Sequence, residues 1–190
     1  RRIEPVYERE TGRLQLIRYD SDGDGKMDIW SYMDGAQVLR IEVDTNKDGT
    51  PDTWAHMDGS RLVRMEIDKD FNGVVDRWEY FTPAGVLEKV GMSRANDGKP
   101  DAWAYPAPDG TTARIDVSPK RDGRITRQEF YEKDQLSRVE EDTDGNGRVD
   151  KWETYEGGTL ASVALDTDGR GTPDRKLVYG ADGVTLKKLR

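Results

Sequence analysis

Acidic side chains recur at a fixed spacing in the segment at residues 20–28, whose sequence is DSDGDGKMD. Carboxylates stand at its positions 1, 3, 5 and 9. When such a segment wraps around a point, a glycine at position 6 permits the sharp turn and the carbonyl of position 7 adds an oxygen. Hard cations such as Ca²⁺ take about six to eight oxygen ligands at about 2.3–2.6 Å. The segment therefore predicts a Ca²⁺ site.

Three later segments keep an oxygen-bearing side chain at each of these positions. The predicted ligands, with the position 7 residue counted for its carbonyl, are Asp20, Asp22, Asp24, Lys26 and Asp28 in loop 1 (20–28), Asp44, Asn46, Asp48, Thr50 and Asp52 in loop 2 (44–52), Asp68, Asp70, Asn72, Val74 and Asp76 in loop 3 (68–76), and Asp142, Asp144, Asn146, Arg148 and Asp150 in loop 6 (142–150). The sequence thus predicts four Ca²⁺ sites.

Three more loops share the spacing but lack ligands: loop 4 (93–101), loop 5 (118–126) and loop 7 (166–174). Ser93 and Ala95 take two ligand positions in loop 4. Lys120 and Thr126 do the same in loop 5, and Arg170 takes position 5 of loop 7. We expect no ion in loops 4 and 5 and a weak or vacant site in loop 7.

A simpler interpretation is that these loops are solvated turns, because Asp and Gly are common between strands. Each intact loop, however, places three or four like charges within a few ångströms of one another, which is repulsive without a cation. Four such copies favour cation binding. Mg²⁺ fits less well than Ca²⁺ because it demands a rigid octahedron and rarely uses an all-protein cage.

The loops belong to a tandem repeat that runs through the whole chain. Their glycines recur every 24 or 25 residues, at Gly25, Gly49, Gly73, Gly98, Gly123, Gly147 and Gly171. A fixed period of this length is the signature of a repeat architecture. We therefore predict one array over residues 1–190, built of about seven units.

The segments between loops alternate apolar and polar residues, which is typical of strands. Leu39, Ile41 and Val43 are predicted to share one face, and Arg40 and Glu42 the other. Turn sequences rich in Gly, Pro and Asp separate the strands in pairs. The sequence therefore predicts an all-β, antiparallel β-hairpin array of about fourteen strands, twisted or superhelical, in which the Ca²⁺ loops link the hairpins.

Aromatic residues occupy one fixed place after most loops, at Trp30, Trp54, Trp78, Trp103 and Trp152. We expect them to fill an apolar layer, with a stacking platform for sugars as the alternative. The lone histidine, His56, takes the slot held elsewhere by Tyr32 or Tyr80, and we interpret it as a surrogate aromatic.

Composition narrows the class of function. With 34% hydrophobic and 36% charged residues, the chain is lean for a thick core, and without cysteine it has no disulfide to staple it. The net charge is −8, and the acids cluster in loops, which argues against a nucleic-acid partner. No apolar run is long enough to span a bilayer. The oligomeric state is left open.

The loops resemble the EF-hand loop and its relatives in dockerins, thrombospondin type 3 repeats and the integrin β-propeller. Glu79 and Glu153 stand at the twelfth loop position, where an EF-hand has its bidentate glutamate, and Glu129 lies in a similar tail. The unit D-x-D-x-D-G-x-P/V-D-x-W-x-Y is similar to tandem repeats of proteins exported by Gram-negative bacteria. The resemblance implies a bacterial, extracytoplasmic β-repeat protein with Ca²⁺ as its ligand.

No nucleophile elbow, phosphate-binding loop or zinc-protease motif is present, so we expect no enzymatic activity. Strand-linked loops of this kind belong with extracellular Ca²⁺ modules, which bind at roughly 10⁻⁴–10⁻³ M. We therefore expect a secreted, periplasmic or cell-surface scaffold for adhesion or protein–protein interaction, with a protein or a cell-surface glycan as partner. A carbohydrate-binding module with exposed Trp residues and a non-catalytic part of a secreted hydrolase are the alternatives.

The ligand rule predicts the Ca²⁺ stoichiometry. Calorimetry or native mass spectrometry should count four Ca²⁺ per chain, one for each intact loop. Occupancy of loop 5, which retains little beyond Asp122, would contradict the rule.

Overall fold

The structure is a computed structural model that describes residues 1–189, and within them it contains sixteen strands and no helix. The strands are β1 (Arg2–Tyr7), β2 (Leu14–Asp20), β3 (Ile29–Asp34), β4 (Gln37–Val43), β5 (Thr53–Asp58), β6 (Arg61–Ile67), β7 (Arg77–Phe81), β8 (Leu87–Met92), β9 (Ala102–Pro106), β10 (Thr112–Val117), β11 (Arg127–Glu132), β12 (Gln135–Glu141), β13 (Lys151–Glu156), β14 (Thr159–Leu165), β15 (Arg175–Tyr179) and β16 (Leu186–Leu189). This confirms the all-β hairpin array. No helix among these residues could cross a membrane.

The chain forms two compact units, unit 1 over Arg1–Pro100 and unit 2 from Asp101 onwards. Within each unit the strands follow sequence order, and every strand pairs antiparallel with its neighbours in the chain. Each unit therefore holds four hairpins. The total exceeds the predicted fourteen strands because the hairpin β1–β2 precedes loop 1 and has no loop in front of it.

Every hairpin has a register shift next to its turn, which is a β-bulge. In β3–β4 Tyr32 pairs with Arg40 and Met33 pairs with Val38, so Leu39 is the extra residue. The alternation predicted that Leu39 shares a face with Ile41 and Val43, but Leu39 is 45% exposed, whereas Ile41 and Val43 are half-buried. The bulge shifts the register of its strand by one residue, so side chains on the two sides of the bulge no longer alternate between the faces in one continuous pattern.

The tryptophans lie on a different face from the one predicted. Trp30 pairs with Glu42, and Glu42 pairs in turn with Trp54. Directly opposite residues share a face of a sheet, so the Trp residues stand among the Arg and Glu side chains and not in the aliphatic layer. Trp78 is nevertheless 8% exposed, and it packs against the facing Gly91, where a Cβ would lie 3.6 Å from its ring.

Stacks of cations on aromatic rings stabilise this face. Each unit has two such pairs. The distance from the cation to the ring centroid is 4.5 Å for Arg40 on Tyr32 and 5.0 Å for Lys89 on Tyr80 in unit 1, and 4.3 Å for Arg114 on Tyr105 and 4.1 Å for Arg138 on Phe130 in unit 2. His56 holds the same slot in β5, and its Nε2 lies 3.2 Å from Glu66. The position of His56 agrees with its interpretation as a surrogate aromatic.

The opposite face of unit 2 carries a network of ion pairs between strands. Lys151 Nζ lies 3.2 Å from a Glu141 oxygen and 2.7 Å from a Glu153 oxygen. Arg127 lies 3.5 Å from Glu141, and the Tyr155 hydroxyl donates a 2.7 Å hydrogen bond to Glu153. Burial raises the pKa of Tyr155 to about 12, with the Glu153 hydrogen bond as a further cause.

Glu153 predicts an acid sensitivity of unit 2. Burial alone would raise its pKa, but the hydrogen bonds from Lys151 and Tyr155 outweigh it and hold the pKa below 4.5. A carboxyl with a lowered pKa stabilises the fold above its unfolded pKa, and that contribution is lost as pH falls through the folded pKa. Glu153→Gln should cost about 1–3 kcal/mol at pH 7 and give a flatter dependence of Tm on pH below 4.5.

The control is Glu156→Gln, which makes the same change at an exposed end of the same strand. Thermal unfolding from pH 7 to 3 measures both variants. Parallel curves for Glu153→Gln and the wild type would contradict the assignment.

Candidate metal centre

Within each unit the loops lie along the same edge of the sheet, held there by two recurring backbone hydrogen bonds. The N–H of position 9 donates to the carbonyl just before position 1, as Asp28 does to Tyr19 at 3.0 Å. The N–H of position 1 donates to the carbonyl of position 9 in the preceding loop, as Asp44 does to Asp28 at 2.9 Å. Consecutive loops are therefore two strands apart, at a spacing of about 9.5 Å.

A common set of hydrogen bonds shapes the interior of the loops. The N–H of the position 6 glycine donates to the position 1 carboxylate at 3.1 Å in loop 1, 2.7 Å in loops 2, 3 and 7 and 2.8 Å in loop 6. The N–H of position 2 donates to the position 9 carboxylate, as Ser21 does to Asp28. The residue at position 7 donates its N–H to the side chain at position 5, and these residues are Lys26, Thr50, Val74 and Arg148.

Two residues of each loop adopt a left-handed backbone. Position 6 is always glycine, with φ of 93° at Gly25 for example, where an L side chain is strained. Position 4 is left-handed as well, even where it is not glycine: φ is 66° at Lys47, 60° at Phe71, 52° at Asn96 and 58° at Arg121. The sequence pattern did not reveal the second position, because its residue type varies.

Three loops bring acidic groups together so closely that a metal ion could be held. The groups are Asp20, Asp22 and Asp24 in loop 1, Asp68, Asp70 and Asp76 in loop 3, and Asp142, Asp144 and Asp150 in loop 6. In each group one ligand oxygen per residue lies within 4.8 Å of the others. Each group is drawn from a loop that has the complete set of predicted ligands.

Other predicted ligands are held by neighbours. Asp28 lies outside the loop 1 group and accepts hydrogen bonds from the Ser21 hydroxyl at 2.8 Å and from Lys47. Among residues 1–189 loop 2 forms no such group. There Asp52 accepts from the Thr45 N–H at 2.7 Å, and Asp48 accepts from Asn46 at 2.8 Å. The corresponding Asn72 and Asn146 amides donate to Asp70 and Asp144 at 3.2 and 2.9 Å.

The position 1 carboxylates of loops 1, 2 and 3 are almost completely buried. Asp20 is 2% exposed, and Asp44 and Asp68 are each 3% exposed. A carboxylate is rarely buried unless it is paired, because removing it from water is costly. Asp44 Oδ2 accepts from Gly49, but its Oδ1 is buried with no hydrogen-bond partner. A carboxylate oxygen that is buried and has no hydrogen-bond partner fits a cation ligand.

Hydrogen bonds keep several loop carboxylates ionised. The Asp24 N–H and the Lys47 ammonium lower the pKa of Asp22. Burial would raise the pKa of Asp142, but the N–H groups of Gly147, Gly145 and Asn146 lower it further than burial raises it. These oxygens are therefore charged at neutral pH and available to a cation.

The incomplete loops keep parts of this geometry without the acidic groups. In loop 5 the Gly123 N–H donates to the Ser118 hydroxyl at 3.2 Å, in place of a carboxylate. In loop 7 Arg170 Nε lies 3.2 Å from Asp168. Where a ligand is missing, a hydroxyl can thus accept the glycine N–H, and an arginine can pair with a remaining carboxylate.

The glutamates at the twelfth position do not join the acidic groups. Glu79 accepts a 2.8 Å hydrogen bond from Arg77, and Glu153 is held by Lys151 and Tyr155. Both lie inside strands, where the pleat directs them to the face of the sheet. The EF-hand likeness therefore stops at position 9.

Comparison with family models found no match, and neither did comparison with curated protein sequences. Among solved structures the chain is similar to part of the GtfA/B complex, with a TM-score of 0.42 and 16% identity over 62% of this chain and 20% of that one. It is also similar to part of accessory secretory protein 1, 2 and 3 of Streptococcus pneumoniae, with a TM-score of 0.29 and 16% identity over 55% and 17% of the two chains. The chain thus spans a small part of either structure, and similarity this low carries no functional assignment.

Asp44 allows a test in which the sign of the effect depends on Ca²⁺. Asp44→Asn removes a buried charge but keeps an oxygen to accept from Gly49, so it should raise Tm in chelator. In excess Ca²⁺ the same change should lower Tm, because a ligand is lost. Differential scanning calorimetry measures both conditions.

The matched control is Asp58→Asn, at a hairpin turn where the side chain is 65% exposed. It should change Tm little in either condition. If Asp44→Asn lowered Tm equally with and without Ca²⁺, the unpartnered oxygen would not be a metal ligand.

Proposed function

We propose that loops 1, 2, 3 and 6 bind Ca²⁺ and that the protein is a Ca²⁺-stabilised β-repeat scaffold. In this proposal it acts outside the cytoplasm, in surface adhesion or in protein–protein interaction, and it has no catalytic role. The observation that carries the proposal is the buried, unpartnered Oδ1 of Asp44, which stands at a position where the other intact loops also have a buried or half-buried carboxylate.

The donor set supports Ca²⁺ over other metals. The groups in loops 1, 3 and 6 consist of carboxylates, and Asn amides stand beside them in loops 3 and 6. The chain has no cysteine and only one histidine, which lies in a strand away from the loops. Oxygen-only donors on a loop suit a hard cation with flexible coordination, which is Ca²⁺.

A scaffold role follows from the regular spacing of the array. Loops about two strands apart would place bound ions at regular intervals along the edge of each unit. Each ion would join the end of one hairpin to the start of the next, since positions 1 and 9 of a loop belong to adjoining strands. Ions placed in this way stiffen the joints between hairpins.

Removal of Ca²⁺ tests the proposal directly. A ligand that binds only the native state adds about 2.7 kcal/mol per site at 100 times its Kd, and two sites rival the roughly 5–15 kcal/mol of a whole domain. EGTA should therefore lower Tm strongly, and Asp20→Ala combined with Asp44→Ala should lower it in saturating Ca²⁺.

The control pair is Asp34→Ala with Asp58→Ala, which removes the same charge at two exposed hairpin turns. A Tm that does not respond to EGTA would defeat the proposal. The argument for a location outside the cytoplasm rests on weak sites, because sites with a Kd of roughly 10⁻⁴–10⁻³ M are filled only there. Sub-micromolar affinity at every site would remove that argument.

The face that carries Trp30 and Trp54 favours carbohydrate binding as a second candidate function. Both rings are half-buried, and Glu42 stands between them, so they are about 9.5 Å apart in one row. Aromatic rings in a row on a polar face can stack on sugars. Titration of Trp fluorescence with oligosaccharides decides between this candidate and the scaffold role.

A further inference from the structure

In loops 2, 4 and 5, the side chain at position 4 contacts an acidic residue of the loop before it. Lys47, at position 4 of loop 2, lies at Asp22 and Asp28 of loop 1. Asn96, at position 4 of loop 4, donates a 2.6 Å hydrogen bond to Asp70 of loop 3. Within unit 2, Arg121 of loop 5 lies 3.7 Å from Asp101, the last residue of loop 4. The left-handed backbone at position 4 thus has a use, since it carries a side chain across to the neighbouring loop.

Lys47 makes the most extensive of these contacts. Its Nζ lies 3.1 Å from Asp22 Oδ2 and also pairs with Asp28 Oδ2. Asp28 is 4% exposed, whereas Lys47 remains 39% exposed.

We propose that Lys47 is a built-in counter-ion of loop 1, which competes with Ca²⁺ for Asp22 and Asp28. This inference rests on the proposed function of the loops. Loop 1 has four carboxylates, more than any other loop. It is nevertheless the weakest of the four Ca²⁺ sites, because Ca²⁺ must displace an ammonium that is tethered beside two of its ligands.

At the other intact loops, position 4 of the following loop carries no cation. Position 4 next to loop 2 is Phe71, which has no charge, and next to loop 3 it is the neutral Asn96. Next to loop 6 it is Gly169, which has no side chain. Ca²⁺ therefore fills loop 1 last.

Loop 4 shows the same device where ligands are already lost. Its position 9 carboxylate, Asp101, is 4% exposed and has the Arg121 guanidinium beside it. Lys47 makes the equivalent contact, with position 9 of a loop whose ligands are intact. A cation at position 4 can thus take over part of the role of a metal ion.

Lys47→Met tests the inference, because it keeps the length of the side chain and removes the charge. Ca²⁺ is titrated into ¹⁵N-labelled protein, and the amide signals of the position 6 glycines report each loop separately: Gly25, Gly49, Gly73 and Gly147. In the wild type the Gly25 midpoint should lie at the highest Ca²⁺ concentration. Lys47→Met should lower that midpoint at least about threefold and leave Gly147 unchanged.

Two further variants isolate the cause. Lys69→Met removes the same charge from the exposed position 2 of loop 3, and it should leave the Gly25 midpoint unchanged. Lys47→Arg keeps a cation at the site and should restore a midpoint near that of the wild type. An unchanged Gly25 midpoint in Lys47→Met, or an equal shift in Lys69→Met, would overturn the inference.

Melting in EGTA provides a readout that needs no Ca²⁺ binding. There Lys47→Met should have a lower Tm than the wild type and Lys47→Arg a similar one, because the carboxylates of loop 1 lose their counter-ion. An equal Tm for Lys47→Met would refute the counter-ion role. If no glycine signal responded to Ca²⁺, the proposed function would fail, while the EGTA comparison would still decide whether Lys47 is a counter-ion.

Discussion

Carboxylates buried at the loop ends of the strands impose the constraint to which the rest of the structure responds. Asp20, Asp44 and Asp68 are withdrawn from water although a solitary buried charge is among the costliest groups in a protein. Backbone N–H groups of the loops donate hydrogen bonds to these carboxylates, and two left-handed residues per loop turn the N–H groups inward. At Asp44 these donors leave one oxygen without a partner. Under the proposed function, a cation completes the shell that the peptide chain leaves open.

The sheet depends on the loops because its hydrophobic core is thin. Among the described residues the buried hydrophobic side chains are Trp78, Val90, Ala102, Val117, Val139 and Val163. The other interactions that hold the sheet together are strand pairing, cations stacked on aromatic rings, and ion pairs such as Lys151 with Glu153. The N–H of each position 1 joins its loop to the preceding one, so a change in loop geometry reaches the strand register directly.

Repetition made the loops and strands predictable, since one pattern seen seven times excludes chance. Details that depend on neighbours were not predictable. Alternation over Leu39, Ile41 and Val43 does not tell which residue is extra in a bulge. The face of Trp30 follows from the register with Glu42, and the hairpin β1–β2 carries no loop to mark it. The contact between Lys47 and Asp28 crosses 19 residues and requires knowledge of which loops adjoin.

The residue type at position 4 differs between the repeats, and the differences change the charge beside the preceding loop. The backbone there is left-handed in every loop, a conformation that glycine adopts freely and that Asn tolerates better than most residues. Under the proposed function, a glycine leaves the neighbouring carboxylates to a diffusible ion, whereas Lys47 or Arg121 places a cation of the chain itself beside them. A tethered cation has a fixed effective concentration, but a free ion follows the concentration in solution. Under the proposed function, the residue at position 4 would therefore set how far each joint of the array responds to Ca²⁺, with no change in the surrounding fold.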